Sequence, residues 1–364
     1  MKKEETSKKI LYVLCMLIIC ILVCVILVRS VEYIVLNESA YKQAYKETVI
    51  TSENIPIIKK NDESARYIRI PKSKDKASEI NLEDDYMNSS IIVTLVGLKE
   101  QSITNEMIER YSNEILTKGP ANSSEDDLVK NIEVTYKSNG NLYDASVTLS
   151  FDKIYAYSIY EKDEYIYIDL EAPKDAYDRI LVLDAGHGGN DSGTYSTNQE
   201  YYEKNINLAI VLKLKELLDK EDIKVYYTRL EDEKVYLRPR VNLANTLEAD
   251  LFVSVHCNGS TSQTANGSTV LYDELSSKEG FNSSALASNC LEQLVSKIKT
   301  VNRNIKKGND IYIVGHSKVP VALIEVGFMS NSSDMAILKK QKQQQKIAEG
   351  IFNGIMLSFE QLEQ

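Results

Sequence analysis

The feature that most constrains this sequence is the alternation of short apolar runs with amphipathic segments after residue 179. The apolar runs predict buried strands at 179–184, 224–229, 251–255, 311–314 and 321–325. Apolar residues at helical spacing predict helices at 203–218, 237–246, 281–299 and 334–359. Strands that alternate with helices are typical of an α/β domain. We therefore predict a largely parallel sheet flanked by helices over residues 179–364.

An uninterrupted apolar segment, residues 10–28, lies close to the amino terminus. A helix of this length spans a hydrocarbon core of about 30 Å. Four lysines precede the segment within residues 1–9, and Arg29 is the one basic residue that closely follows it. Because positive residues stay cytoplasmic, residues 1–9 are predicted as a cytoplasmic tail and 10–28 as a single transmembrane helix. The remainder of the chain is then extracytoplasmic. A cleaved secretory signal is the less favoured alternative, because no small-x-small cleavage motif follows the apolar core.

Two further regions separate this helix from the α/β domain. Residues 29–86 are polar, show little sustained periodicity and are predicted as a stalk or linker. Residues 87–174 contain short runs that alternate apolar and polar residues, at 91–98, 132–136, 145–151 and 164–170. Such runs predict a small β-rich domain, with one helix at 104–118.

Charge and cysteine content exclude two classes of protein. A formal net charge of -10 argues against electrostatic binding of nucleic acid, which needs clustered lysine and arginine. Three of the five cysteines lie within residues 10–28, which leaves Cys257 and Cys290 in the exported part. This distribution is not that of a disulfide-stabilised scaffold.

Candidate functional residues follow the predicted strands of the α/β domain. His187 and His256 each come directly after an apolar strand, and Glu325 ends another. In open α/β sheets, ligands bind beyond the carboxyl ends of the strands. Glu203, at the start of the first helix, is a fourth candidate.

Two histidines and one carboxylate form the donor set of a catalytic site for one zinc ion. Three protein ligands leave the fourth position for water, and a further carboxylate then serves as general base. We assign His187, Glu203 and His256 as ligands and Glu325 as the base. Taken alone, each histidine is more often a surface residue and Glu203 a solvated helix-start residue. A charged residue that ends an apolar strand, by contrast, needs a partner.

Four segments and Glu203 together resemble the zinc-dependent N-acetylmuramoyl-L-alanine amidases of the Amidase_3 family. The segments are DAGHGGNDSG at 184–193, TRLEDEKVYLRPRVNLAN at 228–245, ADLFVSVHCN at 249–258 and PVALIEVGFMSN at 320–331. The resemblance implies hydrolysis of the amide bond between N-acetylmuramic acid and L-alanine in peptidoglycan, as in cell-wall remodelling. It implies the same ligands and the same catalytic glutamate.

Several other residues carry weaker predictions. Cys257 is an unfavoured alternative ligand, because adjacent strand residues point to opposite faces. Arg240 is predicted to support a ligand, and Asn258 to contact substrate or to end its strand. His316 is predicted to be an exposed loop histidine near the cleft, with substrate contact as the alternative.

The β-rich domain, residues 87–174, resembles AMIN domains in strand pattern and in its position before the catalytic domain. That resemblance implies localisation on the cell wall or binding of envelope proteins. Two other functions stay open for the whole chain. One is a zinc peptidase that cleaves within the peptidoglycan stem peptide, and the other is a catalytically silent wall-binding or activator protein.

Overall fold

The computed structural model describes residues 48–49, 66–73, 77, 79–112, 115–120, 127–278 and 280–363. They belong to two compact units, residues 1–49 and 50–364. In the first unit, one short strand is described, β1 (Thr48–Val49). The predicted cytoplasmic tail and transmembrane helix, residues 1–28, lie outside the described residues. Within the described part of the chain, no helix is both long and apolar enough to cross a bilayer.

The second unit begins with a β-sandwich. Its strands are β2 (Tyr67–Pro71), β3 (Glu79–Asp85), β4 (Ser90–Leu98), β5 (Glu109–Ser112), β6 (Ile115–Lys118), β7 (Val129–Asn139), β8 (Leu142–Phe151), β9 (Ala156–Lys162) and β10 (Tyr165–Glu171). One sheet contains β3-β4-β8-β7 in that order, and the other contains β6-β5-β2-β10-β9. Alternate residues, among them Val93, Val147, Ile68 and Ile168, are fully buried between the sheets. We call this part the β-domain.

The β-domain differs from the sequence predictions at its start and in one element. The range predicted as a stalk, residues 29–86, contains β2 and β3, so the domain begins before residue 87. Strand β3 is partly exposed and largely polar, so its sequence lacks the alternation of apolar and polar residues that predicts a strand. The helix predicted at 104–118 is wrong, because β5 and β6 occupy most of that range. Pairing of β5 with β2 overrides the local helical pattern.

The rest of the unit is an α/β domain. Its strands are β11 (Ile180–Ala185), β12 (Lys224–Tyr227), β13 (Leu251–Asn258), β14 (Ser268–Tyr272), β15 (Ser277–Lys278), β16 (Phe281–Asn282), β17 (Asn302–Lys307) and β18 (Val321–Phe328). Its helices are α1 (Pro173–Ala176), α2 (Glu203–Leu218), α3 (Leu237–Thr246), α4 (Ser283–Ile298), α5 (Tyr312–Gly315), α6 (Ser332–Leu338) and α7 (Gln341–Leu362). Residues Leu181 and Val182 of β11 are both fully buried, each in a different core cluster. Helices therefore cover both faces of the sheet.

The main sheet is largely parallel, as predicted, and one antiparallel pair makes it mixed. Its order is β12-β11-β13-β18-β14-β17, and β14 runs antiparallel to β18. Neither β14 nor β17 was predicted, and β17 is a polar edge strand without an apolar run. Residues 311–314, predicted as a strand, form the single helical turn α5 instead. A short apolar run does not distinguish these two structures.

Candidate metal centre

Three elements bring the predicted ligands together near the carboxyl ends of β11 and β13. His187 follows β11, Glu203 is the first residue of α2 and His256 lies within β13. One ligand atom from each residue lies within 4.8 Å of the others. His187 Nε2 is 3.2 Å and His256 Nδ1 is 2.9 Å from the same carboxylate oxygen, Glu203 Oε1. Fifty-three residues separate Glu203 from His256, so the fold assembles this cluster.

The backbone around His187 is shaped to let the rings approach each other. A Cβ on Gly186 would lie 2.2 Å from His256 Cε1, so no larger residue fits without moving that ring. His187 itself has φ of 62°, a left-handed conformation that is unusual for a non-glycine residue. Such strain persists where surrounding contacts enforce it. Here Arg240 donates a hydrogen bond of 2.8 Å to the His187 carbonyl.

Glu203 is buried and is held as a carboxylate by its neighbours. Its Oε1 accepts the Cys257 N–H at 3.0 Å, and Oε2 accepts the Thr194 N–H at 2.9 Å. Burial alone would raise the pKa of Glu203, but the hydrogen bonds from His187 and His256 hold it well below its usual range. An ionised carboxylate between two imidazoles is an anionic site that suits a cation.

Glu325 lies beside this cluster on the neighbouring strand. In the parallel pairing of β13 with β18, Glu325 is opposite His256. Its Oε2 is buried and has no hydrogen-bond partner among the described residues. Burial, with the nearby Glu203 carboxylate adding to it, raises the pKa of Glu325 to about 7. A carboxyl group with a pKa near neutrality can accept a proton and release it again.

A buried ion pair supports the segment that carries His187. Asp184, at the end of β11, is fully buried and pairs with Arg240. Its carboxylate also accepts hydrogen bonds of 2.5 Å from the hydroxyls of Thr228 and Ser254. Arg229 adds hydrogen bonds to the carbonyls of Ala185, at 2.8 Å, and Gly186, at 2.9 Å. The backbone that leads to His187 is therefore held by Arg240 and by Arg229.

Sequence reasoning missed several supporting side chains, among them Asp184 and Asn207. Asp184 ends an apolar strand, as Glu325 does, so a charged residue in that position was an available signal. Asn207, one helical turn after Glu203, donates from its amide to Glu203 Oε1 and to the Gly186 carbonyl, both at 3.3 Å. No local pattern distinguishes Asn207 from any other helix residue.

The donor set fits a zinc ion. Two imidazole nitrogens and one carboxylate oxygen converge, and this is a ligand combination of catalytic zinc sites with an open fourth position. Asp191 Oδ1 lies 3.0 Å from His187 Nδ1, which is the carboxylate–histidine contact that orients a metal ligand. The residues that face the cluster therefore match the predicted metal in number and type.

Comparison with known proteins gives the family. The model of Amidase_3, described as N-acetylmuramoyl-L-alanine amidase, matches residues 181–356. The uncharacterized protein YqiI of Bacillus subtilis (strain 168) is 37% identical over 183 residues, which are 50% of this chain and 86% of that protein. The chain belongs to the Amidase_3 family. The germination-specific N-acetylmuramoyl-L-alanine amidase of the same organism is 32% identical over 196 residues, covering 50% of this chain and 80% of that protein.

A solved structure covers the same half of the chain. The catalytic domain of CwlV, an N-acetylmuramoyl-L-alanine amidase from Bacillus (Paenibacillus) polymyxa var. colistinus, has 33% sequence identity and a TM-score of 0.47. It covers 50% of this chain, and 98% of the CwlV chain is matched. The β-domain precedes the segment that the Amidase_3 model matches, so its resemblance to AMIN domains and its binding of envelope proteins stay predictions.

The α/β domain also contains the residues that carried the weaker predictions. Arg240 lies at the centre, where it contacts Asp184 and the His187 carbonyl. Asn258 ends β13, and its carbonyl accepts the Met329 N–H at 2.8 Å. Cys257 is buried in the apolar core, where burial raises the pKa of its thiol well above the usual range. The group of described residues that could hold a metal ion consists of His187, Glu203 and His256 and does not include Cys257.

His316 lies away from the metal centre. His316 follows α5 and precedes β18, the strand that contains Glu325. It therefore lies near the amino end of that strand. Its ring stacks on Tyr312 with centroids 4.1 Å apart, and its carbonyl accepts a hydrogen bond from Asn245. His316 is exposed, as predicted, and it lies before the amino end of β18, whereas the metal centre lies near the carboxyl ends of β11 and β13.

Proposed function

We propose that this chain is a zinc-dependent N-acetylmuramoyl-L-alanine amidase. It hydrolyses the amide bond between the lactyl group of N-acetylmuramic acid and the L-alanine of the peptidoglycan stem. The observation that carries the proposal is the position of Glu325, a buried carboxyl group directly opposite His256 in the sheet. A structural metal site needs no such group, whereas a hydrolytic one needs a general base. Membership of the Amidase_3 family supports the substrate.

Each part of the site has a defined role in this reaction. A zinc ion held here would supply a Lewis acid that polarises the amide carbonyl and activates water for attack. Two imidazoles and the Glu203 carboxylate hold the ion, and Asp191 fixes the orientation of the His187 ring. Glu325 accepts the proton of the attacking water and passes it to the leaving nitrogen. Without a bound metal, burial raises the pKa of Glu325 above its ordinary value, and this tendency helps the carboxyl group to hold the proton between the two steps.

The experiment compares the purified full-length chain with its Glu325→Gln variant on purified peptidoglycan, with and without a zinc chelator. General acid–base catalysis contributes about 10²- to 10⁴-fold, so Glu325→Gln should reduce product release by at least about 100-fold. Zinc affinity, measured by competition with a chelating dye, should change little. Glu274→Gln is the matched control, because Glu274 is an exposed glutamate paired with Lys307.

Product analysis separates this function from its competitors. The amidase generates new amino termini on L-alanine and new lactyl carboxyl groups. New amino termini elsewhere in the stem peptide would identify a peptidase instead. Release that continues unchanged in the chelated sample, or in Glu325→Gln, would exclude the zinc mechanism. A wild-type chain that binds peptidoglycan and releases nothing would be a wall-binding protein.

We also propose that residues 10–28 anchor the enzyme in the cell membrane with the Amidase_3 domain on the extracytoplasmic side. The apolar segment of 19 residues and the lysines before it support this placement. Deleting residues 1–28 should move the protein out of the membrane fraction of expressing cells. Retention of the deleted protein in that fraction would contradict the anchor.

A further inference from the structure

Tyr86, a residue of the β-domain, contacts an edge of the main sheet of the α/β domain. Strand β12 is terminal in that sheet and pairs with β11 on one side. On its other side, the Tyr86 hydroxyl accepts the Tyr227 N–H at 2.9 Å and donates to the Tyr227 carbonyl at 2.8 Å. One hydroxyl thus satisfies both backbone groups that a further strand would have paired.

Further contacts lie around the Tyr86 and Tyr226 rings. The Tyr86 ring packs edge-on against Tyr226, with centroids 5.0 Å apart. Met87 packs against the core cluster that contains Ile180 and Val182 of β11. The Lys224 ammonium lies 5.0 Å from the centre of the Tyr226 ring. The β-domain therefore packs against β12 around Tyr86.

The chain that leaves β12 leads directly to the support of His187. Thr228, which follows Tyr227, donates to Asp184 at 2.5 Å. Arg229, the next residue, donates to the Gly186 carbonyl at 2.9 Å. A displacement of Tyr227 would consequently move both residues that hold segment 184–187.

We propose that Tyr86 is a positioning residue for the metal centre, so that the β-domain forms part of the catalytic unit. Its hydroxyl fixes the backbone of Tyr227, and through Thr228 and Arg229 it fixes the segment that presents His187. The inference deepens the proposed function and rests on it for the role of His187. A purely local role, in which Tyr86 stabilises the contact between domains and nothing more, is the competing explanation.

The β-domain offers a matched control at Tyr136. The Tyr136 hydroxyl accepts the Ile103 N–H and donates to the Ile103 carbonyl, both at 2.7 Å. The bonding pattern is the same as that of Tyr86, but both partners belong to the β-domain. Tyr86→Phe and Tyr136→Phe therefore remove equivalent hydrogen bonds, and only the first lies on a route to His187.

The experiment uses the full-length chain and both variants. Zinc affinity is measured by competition with a chelating dye. The constants kcat and KM are measured on a soluble muramoyl peptide, and amide hydrogen exchange is followed over residues 184–188. Supporting side chains of metal ligands change affinity by about 10- to 100-fold, so a more distant support should weaken zinc binding by about 3- to 10-fold. In Tyr86→Phe, zinc affinity should fall by this factor, and kcat should decrease similarly while KM stays within about twofold of the wild type. Amide hydrogen exchange over residues 184–188 should be faster. Tyr136→Phe should leave all of these within about twofold of the wild type.

The inference would be overturned if Tyr86→Phe had the same zinc affinity and the same hydrogen exchange as the wild type. It would also be overturned if both variants lost zinc affinity equally. The zinc titration does not require hydrolysis. A chain that binds zinc but cleaves nothing would refute the amidase and leave this comparison intact. If the chain bound no zinc, hydrogen exchange would decide, and unchanged exchange at 184–188 in Tyr86→Phe would refute the positioning role.

Discussion

Replacement of Arg240 with methionine tests whether a buried ion pair holds the metal centre in place. Arg240 and Asp184 are 2% and 0% exposed, and Arg240 also donates to the Ala185 and His187 carbonyls. Methionine fills much of the same volume but leaves the Asp184 carboxyl group buried without its cation. Loss of one partner from a buried pair costs about 3–5 kcal/mol. We expect a decrease of that size in the free energy of unfolding at pH 7.5.

The pH dependence of this loss has a defined sign. Burial tends to raise the pKa of Asp184, but Arg240 and the hydroxyl donors hold it below its ordinary value. In the wild type, the stability that the ionised Asp184 carboxylate contributes is present above pH 3.8 and is lost as pH falls through the lower folded-state pKa. Without Arg240, burial prevails, and the folded state keeps a proton that the unfolded state releases. The deficit of the variant should therefore grow as pH rises from about 4 to 7.

Urea unfolding followed by far-UV circular dichroism at pH 5 and pH 7.5 measures both effects, and it suits a chain without tryptophan. Lys297→Met is the control, because Lys297 forms a partly exposed pair with Glu349 at 2.7 Å. Such a pair contributes about 0–1 kcal/mol. A loss below about 1 kcal/mol for Arg240→Met, or a deficit equal at the two pH values, would refute the reasoning.

Two further predictions concern the metal centre and the contact between domains. Gly186→Ala should weaken zinc binding by at least about tenfold in the dye competition, because the new Cβ would lie 2.2 Å from the His256 ring. Gly280→Ala adds a Cβ that meets nothing within 4 Å, although its φ of 88° strains an alanine there, and this variant should bind zinc normally. An equal loss of zinc binding in it would contradict the steric explanation. Asp84→Asn should alter the pH dependence of the melting temperature, because burial raises the pKa of Asp84 from 3.8 to about 6. The folded wild type holds this proton, so its stability falls between about pH 4 and 6, and the stability of the variant relative to the wild type should rise over that interval. A constant difference in melting temperature would show that Asp84 does not titrate in this range.

Much of the chemistry could be predicted from local sequence. His187, His256 and Glu325 were identified because each stands near the end of an apolar strand, where an α/β sheet presents functional groups. The helix predicted at 203–218 coincides with α2, since amphipathic spacing is a property of consecutive residues. The Amidase_3 resemblance came from motifs that are likewise contiguous in the chain.

Other features depend on pairing between distant segments, and no local pattern encodes them. The mixed sheet arises because β14 runs antiparallel to β18, and the polar strand β17 is defined by its partner rather than by its residues. The support of His187 is equally nonlocal, since Asp184 meets Arg240 across 56 residues and Tyr86 meets Tyr227 across 141. Thus the sequence by itself determined which residues we predict to carry the chemistry. The tertiary structure alone decided what holds them, because the partner of a buried charge or an edge strand is set by the packing of the whole chain.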